Sequence, residues 1–525
     1  MKQLFCVFLI LIVLCQLVSS QKYDILILNG NIFDGSGQKS FKADIGIIGE
    51  KITFIGDAKN MKAGRVINAD GMAVSPGFID LHAHLEPILQ TPDAESHVRQ
   101  GVTLALGGPD GGSLWPFGKT LKKIAKMPLG MNVAYLAGHN TIRTNVMKLD
   151  NREPNAAELS KMKNQVAQAM KEGAFGLSTG LKYLPGTFSK VDEVIELSKV
   201  AASYGGFYTS HLREEGLGLI EAVKEAILIG KEANIPVVLT HHKAIGKPSW
   251  GKSSETLKMV DAANVSRLDV QIDQYPYTAS YTSLSVLIPS WALEGGLEDF
   301  RVRIKTPSLR DSIKQGIIFN ILNDRGSGEL KRIQFGKVDW YKALEGKTLE
   351  DWCQEKKLAP TPENGADLII EAQTKGGAGA IFHAIDDGDV DRIMQHPKTM
   401  IASDGRLSVP GFGHPHPRAY GTFPRVLGHY VRDRKLLSLE NAIQKMTSMP
   451  AKRMGLTDRG MIASGNYADI VIFDPATIKD KSTFEKPHQY PEGIKFVIVN
   501  GVITVDDTVF TENRAGKVLY KPVKK

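Results

Sequence analysis

The sequence predicts an α/β fold: a (β/α)8 TIM-like barrel, a small β-sandwich domain formed by the N- and C-terminal segments, and an insertion after the seventh strand. Three observations lead there. Through the middle of the chain, strand-like apolar runs alternate with amphipathic helices, and a repeated β-then-α order is the pattern of a parallel sheet. Both ends read instead as short strands separated by Gly and Asn turns. One long interval, residues 284–398, breaks the alternation.

With 525 residues the chain can bury a large core. It opens on Met1-Lys2-Gln3, a mostly apolar run over residues 4–18, and Ser19-Ser20-Gln21. That is the layout of a secretory signal peptide over residues 1–20, with the cut after Ser20. The run is short for a bilayer span, so the expectation is a secreted or periplasmic protein without stable membrane insertion once the signal is gone. Lipoprotein processing at Cys15 ranks below this, because the bulky Gln16 follows it. Cys6 and Cys15 leave with the signal and only Cys353 remains. An internal disulfide is therefore excluded, and the fold must be held by its core and by metal. The net charge of +8 comes without a long basic run or interleaved aromatics, which argues for a mild preference for anionic surfaces or substrates and against nucleic acid. No feature marks an oligomeric state.

In chain order, the apolar runs 24–28, 43–48 and 52–55 are separated by Asn29-Gly30-Asn31 and Gly49-Glu50, and read as antiparallel strands with tight turns. The far end repeats the pattern at 468–474, 494–499 and 502–505, with Asn500-Gly501 between the last two. Residues 21–73 and 456–525 are thus expected to build one small β domain, leaving 74–455 for the barrel. Its strands are read at 74–84, 102–106, 133–136, 174–177, 207–210, 237–240, 268–272 and 400–403. Helices such as 156–171, 191–204 and 219–233 place apolar residues at three- and four-residue spacing. The interval 284–398 holds Trp291, Trp340 and Trp352, and such a long connection reads as a packed lid over the strand ends.

Active sites of such barrels lie at the carboxyl ends of the strands, and His84, His139, His211, His241, Tyr275 and Asp404 each fall near one. Residues 74–84 read Val-Ser-Pro-Gly-Phe-Ile-Asp-Leu-His-Ala-His. Alternation along a strand turns His82 and His84 to one side, with Asp80, and two converging imidazoles can chelate a divalent cation. Asp110, His139, His211, His241 and Asp404 are further candidate ligands. Imidazole with carboxylate suits zinc, one ion or two, which keeps an open position when catalytic. Zinc acidifies water and polarises a carbonyl, and a nearby aspartate can carry the proton to a leaving nitrogen. Asp404, before Gly405, is the natural general base; without a metal, Ser-Asp-Gly would be an ordinary turn or cap.

Longer motifs accompany these residues. They include Pro76-Gly77-Phe78-Ile79-Asp80-Leu81-His82-Ala83-His84, Gly138-His139-Asn140-Thr141-Ile142-Arg143 and Gly173-Ala174-Phe175-Gly176-Leu177-Ser178-Thr179-Gly180-Leu181-Lys182-Tyr183-Leu184-Pro185-Gly186. Tyr208-Thr209-Ser210-His211-Leu212-Arg213-Glu214-Glu215, Thr240-His241-His242-Lys243, and Asp404-Gly405 with His414-Pro415-His416-Pro417-Arg418 and Gly421-Thr422-Phe423-Pro424-Arg425 follow in order. From Tyr23 to its end the chain resembles the N-acyl-D-amino-acid deacylases of the amidohydrolase superfamily. The resemblance implies His82 and His84 on one metal position, His211 and His241 on the other, and Asp404 as catalytic acid-base and possible ligand. It implies Lys243, Tyr275 and Arg418 as partners of the substrate carboxylate, roles that an ammonium, a phenol and a guanidinium fit. His139 would stand behind the site, His242 would pack away from His241, and His414 and His416 would shape a loop. Some relatives carry a carbamylated lysine, but nothing around Lys182 marks it as one.

One position departs from the family. Where the deacylases show Gly-Asn-Cys-Gly, with cysteine as a ligand, this chain has Gly108-Pro109-Asp110-Gly111. Carboxylate can bind or bridge zinc, but as a harder ligand it shifts metal preference and water acidity; the other reading of Asp110 is a turn residue. The resulting expectation is zinc-dependent hydrolysis of a small-molecule N-acyl-D-amino acid. Its rivals are another amidohydrolase reaction, on a dipeptide or a cyclic amide, and a non-catalytic binding protein on the same scaffold.

Overall fold

The computed structural model describes residues 22–521, so the signal-peptide reading of residues 1–20 lies outside the described residues. Two sheet systems meet at residue 77. Ala73–Pro76 pairs parallel with Lys22–Ile32 and antiparallel with Ile470–Phe473, which zips the two ends of the chain into one nine-stranded sheet. Its interior is almost all β-branched: Ile25, Ile27, Ile45, Ile47, Val74, Ile470, Ile472 and Ile498. Such side chains pack well on a pleated surface.

Gly77 then turns the chain from one sheet to the next. A Cβ there would fall 2.1 Å from Thr103 Oγ1, so only glycine lets the strands cross this closely. The expectation of one strand over 74–84 is corrected accordingly. The run divides into Ala73–Pro76, Phe78–Asp80 and Ala83–His84, because an unbroken apolar run gives no sign of which sheet each part joins.

Beyond the glycine, Phe78–Asp80, Val102–Gly107 and Asn132–Tyr135 pair in parallel. The third strand resumes after Leu136 as Ala137–Gly138 and continues in parallel through Gly176–Gly180, Phe207–His211, Val237–Leu239, Val270–Gln274 and Thr399–Ile401. The last of these returns to the first. The Ser403 amide donates to Asp80 Oδ1 at 2.9 Å and the Asp404 amide to His82 O at 2.8 Å, and Gly405–Arg406 pairs with Ala83–His84. One apolar cluster draws Ile79, Leu104, Leu106, Ala134, Phe207, Val238 and Met400 together from strands along this whole order.

The connecting helices follow from local sequence. In Leu219–Ala233, Leu219, Ala222, Val223, Ala226, Ile229 and Ala233 form the buried face, and Asn234 ends the helix in the left-handed region at φ 49°. Ala156–Lys171 starts from a capping box between Asn155 and Glu158.

Between the seventh and eighth parallel strands the chain builds a unit with its own core, which includes Leu284, Ile317, Phe335, Trp352, Cys353, Ile369 and Phe382. Its sheet is antiparallel, Ser280–Ser283 and Ile333–Phe335 both flanking Gly379–Phe382. The helix Asp387–Gln395 lies within the predicted interval 284–398 but packs elsewhere. Asp389 accepts hydrogen bonds from Ser253 Oγ at 2.5 Å and the Gly251 amide at 2.7 Å, which ties it to the helices around the parallel sheet.

Candidate active site

Three of the site's side chains come from residues held at positive φ. Asp110 (54°), His241 (36°) and Asp404 (50°) all occupy the left-handed region, which costs a non-glycine residue roughly 1–3 kcal/mol unless its surroundings enforce it. Here the enforcement is visible. Asp110 sits in a turn between Gly108 and Gly111, themselves at φ 76° and 75°. The His241 amide donates to Asp273 Oδ1 at 2.6 Å, and the Asp404 amide is tied to His82 O. The strain turns three side chains inward at the carboxyl ends of the second, sixth and eighth strands.

The side chains converge on Asp110. His84 Nε2 lies 3.7 Å from Asp110 Oδ2 and 3.2 Å from Asp404 Oδ1, while His82 Nε2 lies 3.6 and 3.5 Å from the same two carboxylates. On the other side, His241 Nε2 is 3.3 Å from Asp110 Oδ1, His211 Nδ1 is 3.7 Å from Oδ2, and the two imidazole nitrogens are 2.7 Å apart. Two ligand sets result, His82, His84, Asp110 and Asp404, and Asp110, His211 and His241, each with donor atoms within 4.8 Å of one another. Asp110 belongs to both. His82 Nε2 and Asp110 Oδ1, 3.6 Å apart at the centre, are buried without a hydrogen-bond partner among the described residues. Orphaned polar atoms at this density are expensive, and a divalent cation would satisfy them; the donor set fits zinc.

Charge explains the titration behaviour. Burial works against ionisation of Asp110, but His82, His241 and His211 hold it well below the usual carboxylate range. Asp404 is likewise held low, against burial, chiefly by Arg418, whose Nη1 lies 2.8 Å from Oδ2. His241 opposes burial and the Lys243 charge, and the pull of Asp110 and Glu215 raises it to about 9. Burial dominates His211 and lowers it to about 4. The imidazoles thus face carboxylates that stay ionised.

Most of the predicted residues share one wall. His84, Asp110, His211, His241, Lys243, Asp404 and Arg418 line a cavity of about 1320 Å³, to whose lining the inserted unit adds the Tyr281–Ser283 edge and Trp340. His82 is fully buried beneath it. Tyr275 does not line this cavity. Its ring lies behind, 4.7 Å from the Arg418 guanidinium and 5.7 Å from Lys243 Nζ. His139 is bound to Glu193 at 2.7 Å, and His242 donates to or accepts from Thr256 Oγ1 at 2.7 Å; neither joins a ligand set. His414 and His416 line the cavity and reach Phe484 O and Ala279 O. Lys182 pairs with Glu214.

Sequence reasoning gave no role to Glu215, Arg325 or Asp273. Glu215 is buried against His211, His241, Lys243 and Arg325. Its signal was available in its place four residues after His211, inside a motif already singled out. Arg325 comes from the inserted unit and carries no local signal.

Residues 372–505 match the model of the amidohydrolase family. The chain is similar to a D-aminoacylase of Alcaligenes xylosoxydans xylosoxydans, 35% identical over 96% of this chain and 98% of that protein. Among solved structures it is similar to an N-acyl-D-glutamate deacylase from Bordetella bronchiseptica complexed with zinc and a phosphonate inhibitor (31% identity, TM-score 0.82, 95% of this chain and 100% of that one). It is also similar to a D-aminoacylase with a binuclear metal centre, described by one-metal activation and second-metal attenuation (35% identity, TM-score 0.81, 95% and 100%).

Proposed function

The chain belongs to the N-acyl-D-amino-acid deacylases of the amidohydrolase family, and from that premise we infer that it hydrolyses the amide of an N-acyl-D-amino acid to a carboxylate and the free D-amino acid, with zinc as its metal. The observation that carries the reading is the convergence of four imidazoles on Asp110 and Asp404 in a cavity wall.

Asp110, His211 and His241 would hold zinc, with His82, His84 and Asp404 framing a second position; bound there, the metal would supply a Lewis acid to acidify water and polarise the amide carbonyl. The chain's own groups do the rest. Asp404 accepts the proton of the attacking water and returns it to the amide nitrogen as the C–N bond breaks, so that the amine leaves neutral. Arg418 keeps Asp404 ionised and oriented until then. Lys243 and Arg418 are the cations on the cavity wall suited to the substrate's α-carboxylate, and Tyr275 backs both with its ring. The choice of the D series rests on the likeness to the D-aminoacylase.

The same reading takes the eight parallel strands, from Phe78–Asp80 to Thr399–Ile401, as a closed (β/α)8 barrel, the joined ends of the chain as a β-sandwich, and the inserted unit as a lid. The hydrogen bonds from Ser403 and Asp404 back to the first strand support closure, and the inserted unit's place on the cavity wall supports the lid. Residues 1–20 support export. No helix among the described residues is long and apolar enough to cross a membrane.

Matched N-acetyl-D- and N-acetyl-L-amino acids, with neutral and acidic side chains, test the reading beside a dipeptide and a cyclic amide. Zinc-loaded protein is expected to turn over the D series. Turnover confined to the dipeptide or the cyclic amide would overturn it.

A further inference from the structure

We propose that Glu215 is a positioning residue, a single buried carboxylate that orients both imidazoles of the second ligand set from behind and holds Lys243 in place for the substrate. The inference rests on the deacylase reading above. Glu215 follows the fifth strand, four residues beyond His211, and is 1% exposed. Its Oε1 lies 3.2 Å from His241 Nδ1 and also accepts from Lys243 Nζ. Its Oε2 lies 3.5 Å from His211 Nε2 and accepts from Arg325 Nη2 at 3.0 Å.

Each imidazole therefore shows one nitrogen to Glu215 and the other to Asp110. A neutral imidazole carries one proton and one lone pair. At His211 the carboxylate behind the ring draws the proton to Nε2, which leaves the lone pair at Nδ1, the atom that faces the centre 2.7 Å from His241 Nε2; at His241, where the Lys243 ammonium reaches Nδ1 at 2.6 Å, the carboxylate acts on the ring's angle through the lysine it holds. Carboxylates behind metal-ligating histidines act in this way, fixing tautomer and ring angle. Here one carboxylate stands behind two rings and holds a lysine. Lys243 also reaches His241 O at 2.7 Å and His241 Nδ1 at 2.6 Å, so its ammonium is fixed at three points and still lines the cavity.

Burial opposes the ionisation of Glu215, and Lys243, His211 and His241 together keep it ionised. Arg325 extends the link. It is buried, comes from the inserted unit, and also pairs with Asp324 Oδ2 at 3.1 Å. The lid's core and the ligand set are thereby tied to the same two oxygens.

The test is Glu215→Gln, read first without substrate. Zinc affinity is measured by competition with a chromophoric chelator, and the protonated nitrogen of His211 is read by 15N NMR of zinc-depleted protein. Affinity is expected to fall roughly 10–100-fold, the range for losing such a partner, with mixed tautomers in the zinc-depleted protein. At saturating zinc, KM for the N-acyl-D-amino acid should then rise more than kcat falls, because Lys243 has lost its holder. Glu215→Asp keeps the charge on a shorter stem and should restore part of both, and it serves as the probe if the amide variant does not fold. Wild-type zinc affinity and KM in Glu215→Gln would overturn the proposal, leaving Glu215 a packing residue. A wild-type protein that binds zinc but hydrolyses no N-acyl-D-amino acid would overturn the substrate reading alone, since the metal arm needs no substrate. A wild type that binds no zinc would overturn both.

Discussion

The nine-stranded sheet at the chain's ends and the cluster at the ends of the parallel strands are both buried, and they are made of opposite materials. The sheet's interior is mostly isoleucine, and the buried ion pair beside it is fully provided for. Asp469 meets Arg459 and accepts from the Asn500 amide at 2.7 Å, while Arg459 Nη2 donates to Asn500 Oδ1 at 2.8 Å. At the strand ends, five buried or half-buried titratable groups crowd Asp110, and several of their polar atoms have no partner. Burying charge is costly unless it is paired, so a structure that satisfies one pair completely and leaves another set open is organised for different ends. The sheet holds the chain together; the cluster is shaped for a cation and a reaction.

Substitutions should separate the two. The largest effect is expected from Asp404→Asn, which removes the proton carrier without changing its shape. Its kcat should fall roughly 10²–10⁴-fold while circular dichroism and melting remain those of wild type; a loss of less than tenfold would break the contrast. In the sheet, Ile470→Ala deletes a fully buried side chain and should cost about 2–5 kcal/mol in urea unfolding, with kcat per folded molecule unchanged. The smallest effect tests buried charge away from the site. Lys445 is lowered from 10.5 to about 8 by burial, and it donates to His396 O and Thr399 O. Because its folded pKa is depressed, the unfolded chain binds the extra proton between these values, so stability should rise as pH goes from 8 to 10.5. Lys445→Met should flatten that rise in wild-type-minus-variant unfolding curves, and activity should follow neither.

The sheet and the site also differ in how far a sequence shows them. Alternation marks His82 and His84 as a pair on one side, and the β-then-α order brings His211, His241 and Asp404 to the same end before any coordinates exist. Asp110 is legible only because the motif around it can be set beside a family; by itself, Pro-Asp-Gly is a turn, and the positive φ shows that it is a turn as well as a candidate ligand. The crossing at Gly77 is hidden, since apolar residues on both sides suit either sheet and the reason for the glycine is Thr103, 26 positions later by the numbering. Glu215 and Arg325 are hidden for a related reason. Their roles come from contacts across the fold, and a buried Glu or Arg looks like a surface one until its partners are in view.

The most direct test of this account is zinc content measured together with turnover of an N-acetyl-D-amino acid, in wild type and in Asp110→Ala. Asp110 is the one residue common to both ligand sets. The account predicts zinc bound to the wild type, a loss of bound zinc in Asp110→Ala, and turnover that falls in step with it. Full zinc content and full turnover in Asp110→Ala would return Asp110 to the role of a turn residue and contradict the centre described here.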